Sequence, residues 1–106
     1  MMTQKKWEIW LAQVKFEDDL TKVKLRPVLI IQDYISYVIS LKITGHPPRS
    51  AYQGEYMIEN WSESGLDKPS TIRASKKLKL VQSDFVRKIG VLHPQDILQL
   101  QMILTK

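Results

Sequence analysis

Two apolar runs flanking a short polar joint, RPVLIIQ (26–32) and SYVISLKI (36–43), constrain this chain more than any other feature. Runs of this length, rich in branched residues and this close together, predict two antiparallel strands joined as a hairpin. Centred near Ile35, the hairpin pairs Leu29 with Leu41, Ile31 with Ile39 and Pro27 with Ile43. That face is wholly apolar and belongs in a core. The other face pairs Ile30 with Ser40, Val28 with Lys42 and Arg26 with Thr44. A slip of one residue mixes the two sets and buries Ser40 and Lys42, so the hydrophobic pattern selects the register. Directly opposed residues have Cβ atoms roughly 4.5–5.5 Å apart. Arg26 and Thr44 are therefore expected side by side, on the more polar face, at the open end of the hairpin.

The rest of the chain reads as more short strands. WEIWLAQVKF (7–16) is a strand and EDDLTKVK an exposed charged loop, in which Asp18 and Asp19 are simply solvated. GHPPRSAYQG is a second loop, since paired prolines cannot sit inside a sheet. EYMI is a short strand, and NWSESGL a short helix with Asn60 as N-cap and Gly65 as its stop. STIRAS and KLKLV are two strands, the second with Leu78 and Leu80 on one face and Lys77 and Lys79 on the other. RKIGVL is another strand. PQDILQLQMIL is a helix, with Pro94 at its first position, Asp96 at its positive end, and Ile97, Leu100, Ile103 and Leu104 on one face. Trp7 and Trp10 fall on opposite strand faces, one for the core and one for a subunit surface. Many short strands and one terminal helix predict a small, strongly bent sheet or partly open barrel.

At 106 residues the chain fits a single domain, 1–106. There are no cysteines, which excludes disulfides and thiolate chemistry and fits a cytoplasmic location. The longest apolar run, VLII, is far too short to cross a membrane, and the start lacks the apolar segment of a secretory signal. The formal net charge of +5 favours a polyanionic partner. Lys68, Arg73, Lys76, Lys77, Lys79, Arg87 and Lys88 crowd one stretch with Asp84 as its single acid. This stretch reads either as a solvated strand face or as a surface that tracks phosphates.

A guanidinium stays charged and grips phosphate oxygens through its planar fork, and a neighbouring threonine hydroxyl donates to a second oxygen. Arg26 and Thr44 together suit a site where negative charge builds on a phosphate. The plainer reading is an edge arginine beside a β-branched neighbour. His46, two residues past Thr44, is a candidate general acid or base, or simply a loop histidine between Gly45 and Pro47. His93, just before Pro94, reads as structural. No carboxylate cluster accompanies the two histidines, so neither a metal site nor any other cofactor is expected.

In order and spacing, EIWLAQVKF, RPVLII, LKIT, GEYMIENWSESGLDKPSTIRASKKLKL and DFVRKIGVLHPQDI resemble the MazF/PemK-like toxins over essentially the whole chain. The resemblance implies an SH3-like barrel with short helical turns and a C-terminal helix, usually a homodimer. It implies a metal-independent endoribonuclease that cuts single-stranded RNA and is neutralised by a cognate antitoxin. It also implies that Arg26, before the proline of the second strand, and Thr44, closing the third, are the main catalytic residues. Lys24, Lys42, Arg49 and Arg73 are then candidates to follow the RNA backbone, and Tyr52 to stack on a base. Trp61 is a weaker stacking candidate, because packing of the short helix is the preferred reading. Two departures stand out. Trp7 occupies a region where family members often carry glycine, and the loop before Arg26 has no glycine at all. The competing readings are a non-catalytic binder on the same fold, such as a gyrase poison of the CcdB type, and a decayed toxin that only binds RNA or antitoxin.

Overall fold

The computed structural model describes residues 3–49 and 53–105. Among the described residues, six strands form one antiparallel sheet: β1 (Glu8–Lys15), β2 (Val23–Asp33), β3 (Val38–Thr44), β4 (Glu55–Met57), β5 (Thr71–Leu80) and β6 (Phe85–Val91). Their order is β4-β5-β3-β2-β1-β6, and helix α1 (Pro94–Leu104) closes the chain. The mainly β architecture with a terminal helix agrees with the sequence reading. Register shifts interrupt the β1–β6, β2–β3 and β3–β5 pairings. Such bulges bend a sheet and increase its twist.

The β2–β3 hairpin keeps the expected register at Val28–Lys42, Leu29–Leu41 and Ile30–Ser40. It then slips at Ile31, so Gln32 rather than Ile31 faces Ile39. At the open end the described pairing stops at Val28–Lys42, two residues short of Arg26 and Thr44.

The expectation of one core face and one polar face does not hold. Leu29, Leu41 and Ile43 join Ile9, Ile72 and Leu100 in one core, which α1 covers. Val28, Ile30 and Val38 join Trp10, Ala12, Val14 and Phe85 in a second core on the opposite face. Ser40 is fully buried in the observed register, so the cost of burying it cannot be what selects that register. Both tryptophans also face inward. Trp10 is buried in the second core, and Trp7 packs half-buried against the first.

Three local expectations change. Residues 60–66 form hydrogen-bonded turns rather than a helix, closed by Ser64 N–H to Asn60 O at 3.1 Å and Leu66 N–H to Trp61 O at 3.0 Å. Gly65, at φ +92°, stops the chain there, and a Cβ on it would lie 2.5 Å from the Ile89 carbonyl oxygen. STIRAS and KLKLV are one strand, β5, in which Ala74, Ser75 and Lys76 bulge out between the Arg73–Lys42 and Lys77–Leu41 pairs. Asp19 is not idle either: it accepts from Thr21 N–H at 3.1 Å and from the Thr21 hydroxyl, closing the β1–β2 loop.

Helix α1 begins and ends where the sequence places it. His93 caps it, Nδ1 accepting from Gln95 N–H at 3.1 Å. Asp96 is buried and does more than complement the helix dipole. It accepts from the Tyr56 hydroxyl at 2.5 Å, Glu59 N–H at 2.9 Å, Asn60 N–H at 3.0 Å and Asn60 Nδ2 at 3.1 Å. This carboxylate ties α1 to the turn after β4. Burial alone would raise its pKa, but these four donors outweigh burial and hold it below the usual aspartate range.

Candidate active site

One cavity of about 520 Å³ gathers most of the candidate residues. Lys24 and Arg26 reach it from β2, Lys42 and Thr44 from β3, and Arg73 from β5. His46 and Arg49 reach it from the segment after β3. Tyr52 lies outside the described residues. Trp61 does not line this cavity; it packs against the first core, as the plainer reading of it holds.

Strand geometry explains the grouping. Side chains two residues apart share a face, so Lys42 and Thr44 project together, as do Lys24 and Arg26. The second core ends near Val28 and Lys42, and beyond it the same face opens into the cavity. The Thr44 hydroxyl oxygen accepts from His46 N–H at 3.4 Å, which leaves its hydrogen to donate elsewhere.

The basic stretch from Lys68 to Lys88 is not one surface. Lys68 and Arg73 turn to the cavity, and Lys76 meets Glu17 at 3.5 Å. Lys79 lies 4.5 Å above the Tyr37 ring, and Lys88 pairs with Glu8 at 2.9 Å. Leu78 and Leu80 face the second core opposite Lys77 and Lys79, as their alternation predicts.

A family model of PemK-like, MazF-like toxins of type II toxin–antitoxin systems matches residues 5–106. The chain belongs to this family. Among solved structures, the Mycobacterium tuberculosis toxin MazF-mt6 is similar at 24% identity and a TM-score of 0.71, over 92% of this chain and 91% of that one. A second Mtb toxin matches at 24% identity and a TM-score of 0.64, over 76% of this chain and 89% of that one. No curated protein matches the chain. A toxin of such a system implies an antitoxin as partner.

Charged groups that the sequence did not single out for the site stand in the cavity or, for Glu17, beside it. Lys68 lays its side chain across Gly45, and a Cβ there would meet Lys68 Cε at 3.0 Å. Glu55, on β4, pairs with Arg73 Nε at 3.1 Å and Arg49 Nη2 at 3.2 Å, and its carboxylate side chain is 2% exposed. The Arg49 N–H also donates to it at 2.9 Å. That bond is the largest influence lowering the Glu55 pKa; burial opposes it, and both guanidiniums support it. Glu17, in the β1–β2 loop, reaches Lys42 at 3.6 Å as well as Lys76. Isolated acids in exposed-looking segments carry no local mark of such long-range pairing. Among the described residues no three His, Cys, Asp or Glu side chains are grouped as metal ligands, and no helix is long and apolar enough to cross a membrane.

Proposed function

We propose that this chain is an endoribonuclease that cuts single-stranded RNA through attack by the substrate's own 2′-hydroxyl, and that a cognate antitoxin neutralises it. The observation that carries this reading is that Arg26 and Thr44 both line one cation-rich cavity. Lys24, Lys42, Arg49, Lys68 and Arg73 surround that pair, against the acids Glu55 and Asp67. Attack by the 2′-oxygen needs no metal. It yields a 2′,3′-cyclic phosphate and a 5′-hydroxyl, and asks the protein to orient the chain, stabilise the added charge and manage two protons. Arg26 stabilises the charge on phosphorus, Thr44 donates to a non-bridging oxygen, and His46 accepts the 2′-hydroxyl proton. Lys24, Arg49, Lys68 and Arg73 hold the flanking phosphates, with Tyr52 available to stack on a base. A homodimer acting in the cytoplasm belongs to the same reading.

Purified protein incubated with a long single-stranded RNA in EDTA, followed by mapping of the ends, tests it. Cyclic phosphate and 5′-hydroxyl termini are expected. Arg26→Ala should lose on the order of 10²–10³ in rate, as removal of one charge-stabilising donor does. Intact RNA with the wild-type protein, or wild-type cleavage by Arg26→Ala, overturns the proposal.

A further inference from the structure

A second cavity of about 290 Å³ adjoins the first, lined by Val14, Lys15, Phe16, Glu17, Asp18, Arg26 and Lys42. Among the described residues, Arg26 and Lys42 are the two common to both linings, so they stand on the divide. Both volumes are of the order of small-ligand sites, about 300–1,000 Å³. A chain that places one nucleotide in each cavity carries the joining phosphodiester across Arg26 and Lys42.

Lys42 is well built for that position. It lies between Arg26 on β2 and Arg73, its register partner on β5, and shares a face with Thr44. Its side chain is 14% exposed, and its ammonium meets the Glu17 carboxylate at 3.6 Å, while Lys76 holds that carboxylate from the far side at 3.5 Å.

We propose that Lys42 donates the proton to the leaving 5′-oxygen in RNA cleavage, on the divide between the two cavities. This inference rests on the endoribonuclease reading above. The 2′-oxygen forms its bond to phosphorus and gives its proton to the His46 imidazole. The bond from phosphorus to the 5′-oxygen breaks, and the departing electron pair takes a proton from Lys42 Nζ. Water then returns a proton to Lys42 and accepts one from His46. Arg26, already assigned to charge on phosphorus, is unsuited to this step, because a guanidinium does not release its proton near neutrality.

The electrostatics agree with the geometry. Burial and the Arg26 charge lower the Lys42 pKa, Glu17 opposes them, and Arg73 adds to the lowering. The net shift is downward despite the ion pair, which makes the ammonium a stronger acid than an ordinary lysine.

The test uses an RNA oligonucleotide holding one mapped cleavage site, and the same oligonucleotide with sulfur replacing the bridging 5′-oxygen there. A thiolate leaves without needing a proton. Lys42→Met keeps the packed stem, and Lys42→Arg keeps the charge but holds its proton. Both variants should lose roughly 10²–10⁴ in rate on the oxygen linkage and recover to within several-fold of wild type on the sulfur linkage. Thermal melts check folding; should Lys42→Met melt below assay temperature, Lys42→Arg carries the comparison. Equal losses on both linkages would make Lys42 a binding or structural cation and overturn the inference, as would wild-type cleavage of the oxygen linkage by Lys42→Arg. Cleavage by the wild type that disappears in Arg26→Ala while Lys42→Arg stays active sinks this inference alone. Failure of the wild type on both linkages removes the endoribonuclease reading and this inference with it.

Discussion

Glu55 and Arg73 face each other across the β4–β5 pair, and Arg73 Nε donates to the Glu55 carboxylate at 3.1 Å. The same carboxylate holds Arg49 at 3.2 Å. On the proposed endoribonuclease reading, an acid in this cavity works against RNA binding by its charge. Its use here is to fix two guanidiniums in the cavity lining. Glu55→Gln should therefore weaken cleavage despite making the site more positive. Displacement of the two arginines by an ångström is enough to cost on the order of 10²-fold in kcat/KM. The melting temperature should fall as well. A rise in kcat/KM would show that the charge of Glu55 matters more than its anchoring.

Lys24 reaches the cavity rim, and no further role is assigned to it than holding a flanking phosphate. Binding to single strands weakens with salt by about 0.7 logarithmic units per phosphate neutralised. Lys24→Gln should reduce the slope of log affinity against log salt by about that amount, with little change in the cleavage sequence. Fluorescence anisotropy with a short RNA across a salt series measures it.

Trp7 holds a backbone angle of φ +74°, which costs a bulky side chain energy. The strand entry enforces it: Trp7 N–H donates to Ile30 O at 2.8 Å, and Leu92 N–H donates to Trp7 O at 2.8 Å. Removing the ring loses packing whichever small residue replaces it. Glycine also relieves the strain, worth about 1–2 kcal/mol. Trp7→Gly should thus be more stable than Trp7→Ala by about 1 kcal/mol, the reverse of the usual strand order. Urea melts of the two variants compare them directly.

Asp96 links stability to acid. Its pKa in the folded chain lies below the unfolded value, so the unfolded chain binds more protons at low pH and stability rises with pH. The contribution is complete above the ordinary aspartate value of about 3.9 and fades as pH falls through the folded value. Asp96→Ala strands buried donors from Tyr56, Glu59 and Asn60 and should cost on the order of 3 kcal/mol at pH 7. The gap between wild type and variant should shrink in urea melts near pH 3. An unchanged gap would remove Asp96 from the acid response.

Much of the fold was legible because it is written in near neighbours. Alternation of apolar residues along β2 and β3 placed Leu29 against Leu41, and Pro94, Asp96 and the spacing of Ile97, Leu100 and Leu104 marked α1. The expected short helix at Asn60 is instead a set of hydrogen-bonded turns of mixed spacing, ended by the Gly65 stop that the sequence did mark. In the cavity, Arg26, Lys42 and Thr44 were readable because strand periodicity puts them on one face near one open end.

Which face of a strand a residue occupies depends on its immediate sequence, so periodicity reveals it. What covers that face does not. Val28, Ser40 and Trp10 lie inside because segments far away in the chain, among them Phe85 and Leu80, close over them. Glu17 meets Lys42 and Lys76, Glu55 meets Arg73, and Asp96 meets Tyr56 for the same reason. Each contact joins residues brought near by the bent sheet, and charge complementarity at such separations leaves no periodic trace in the chain.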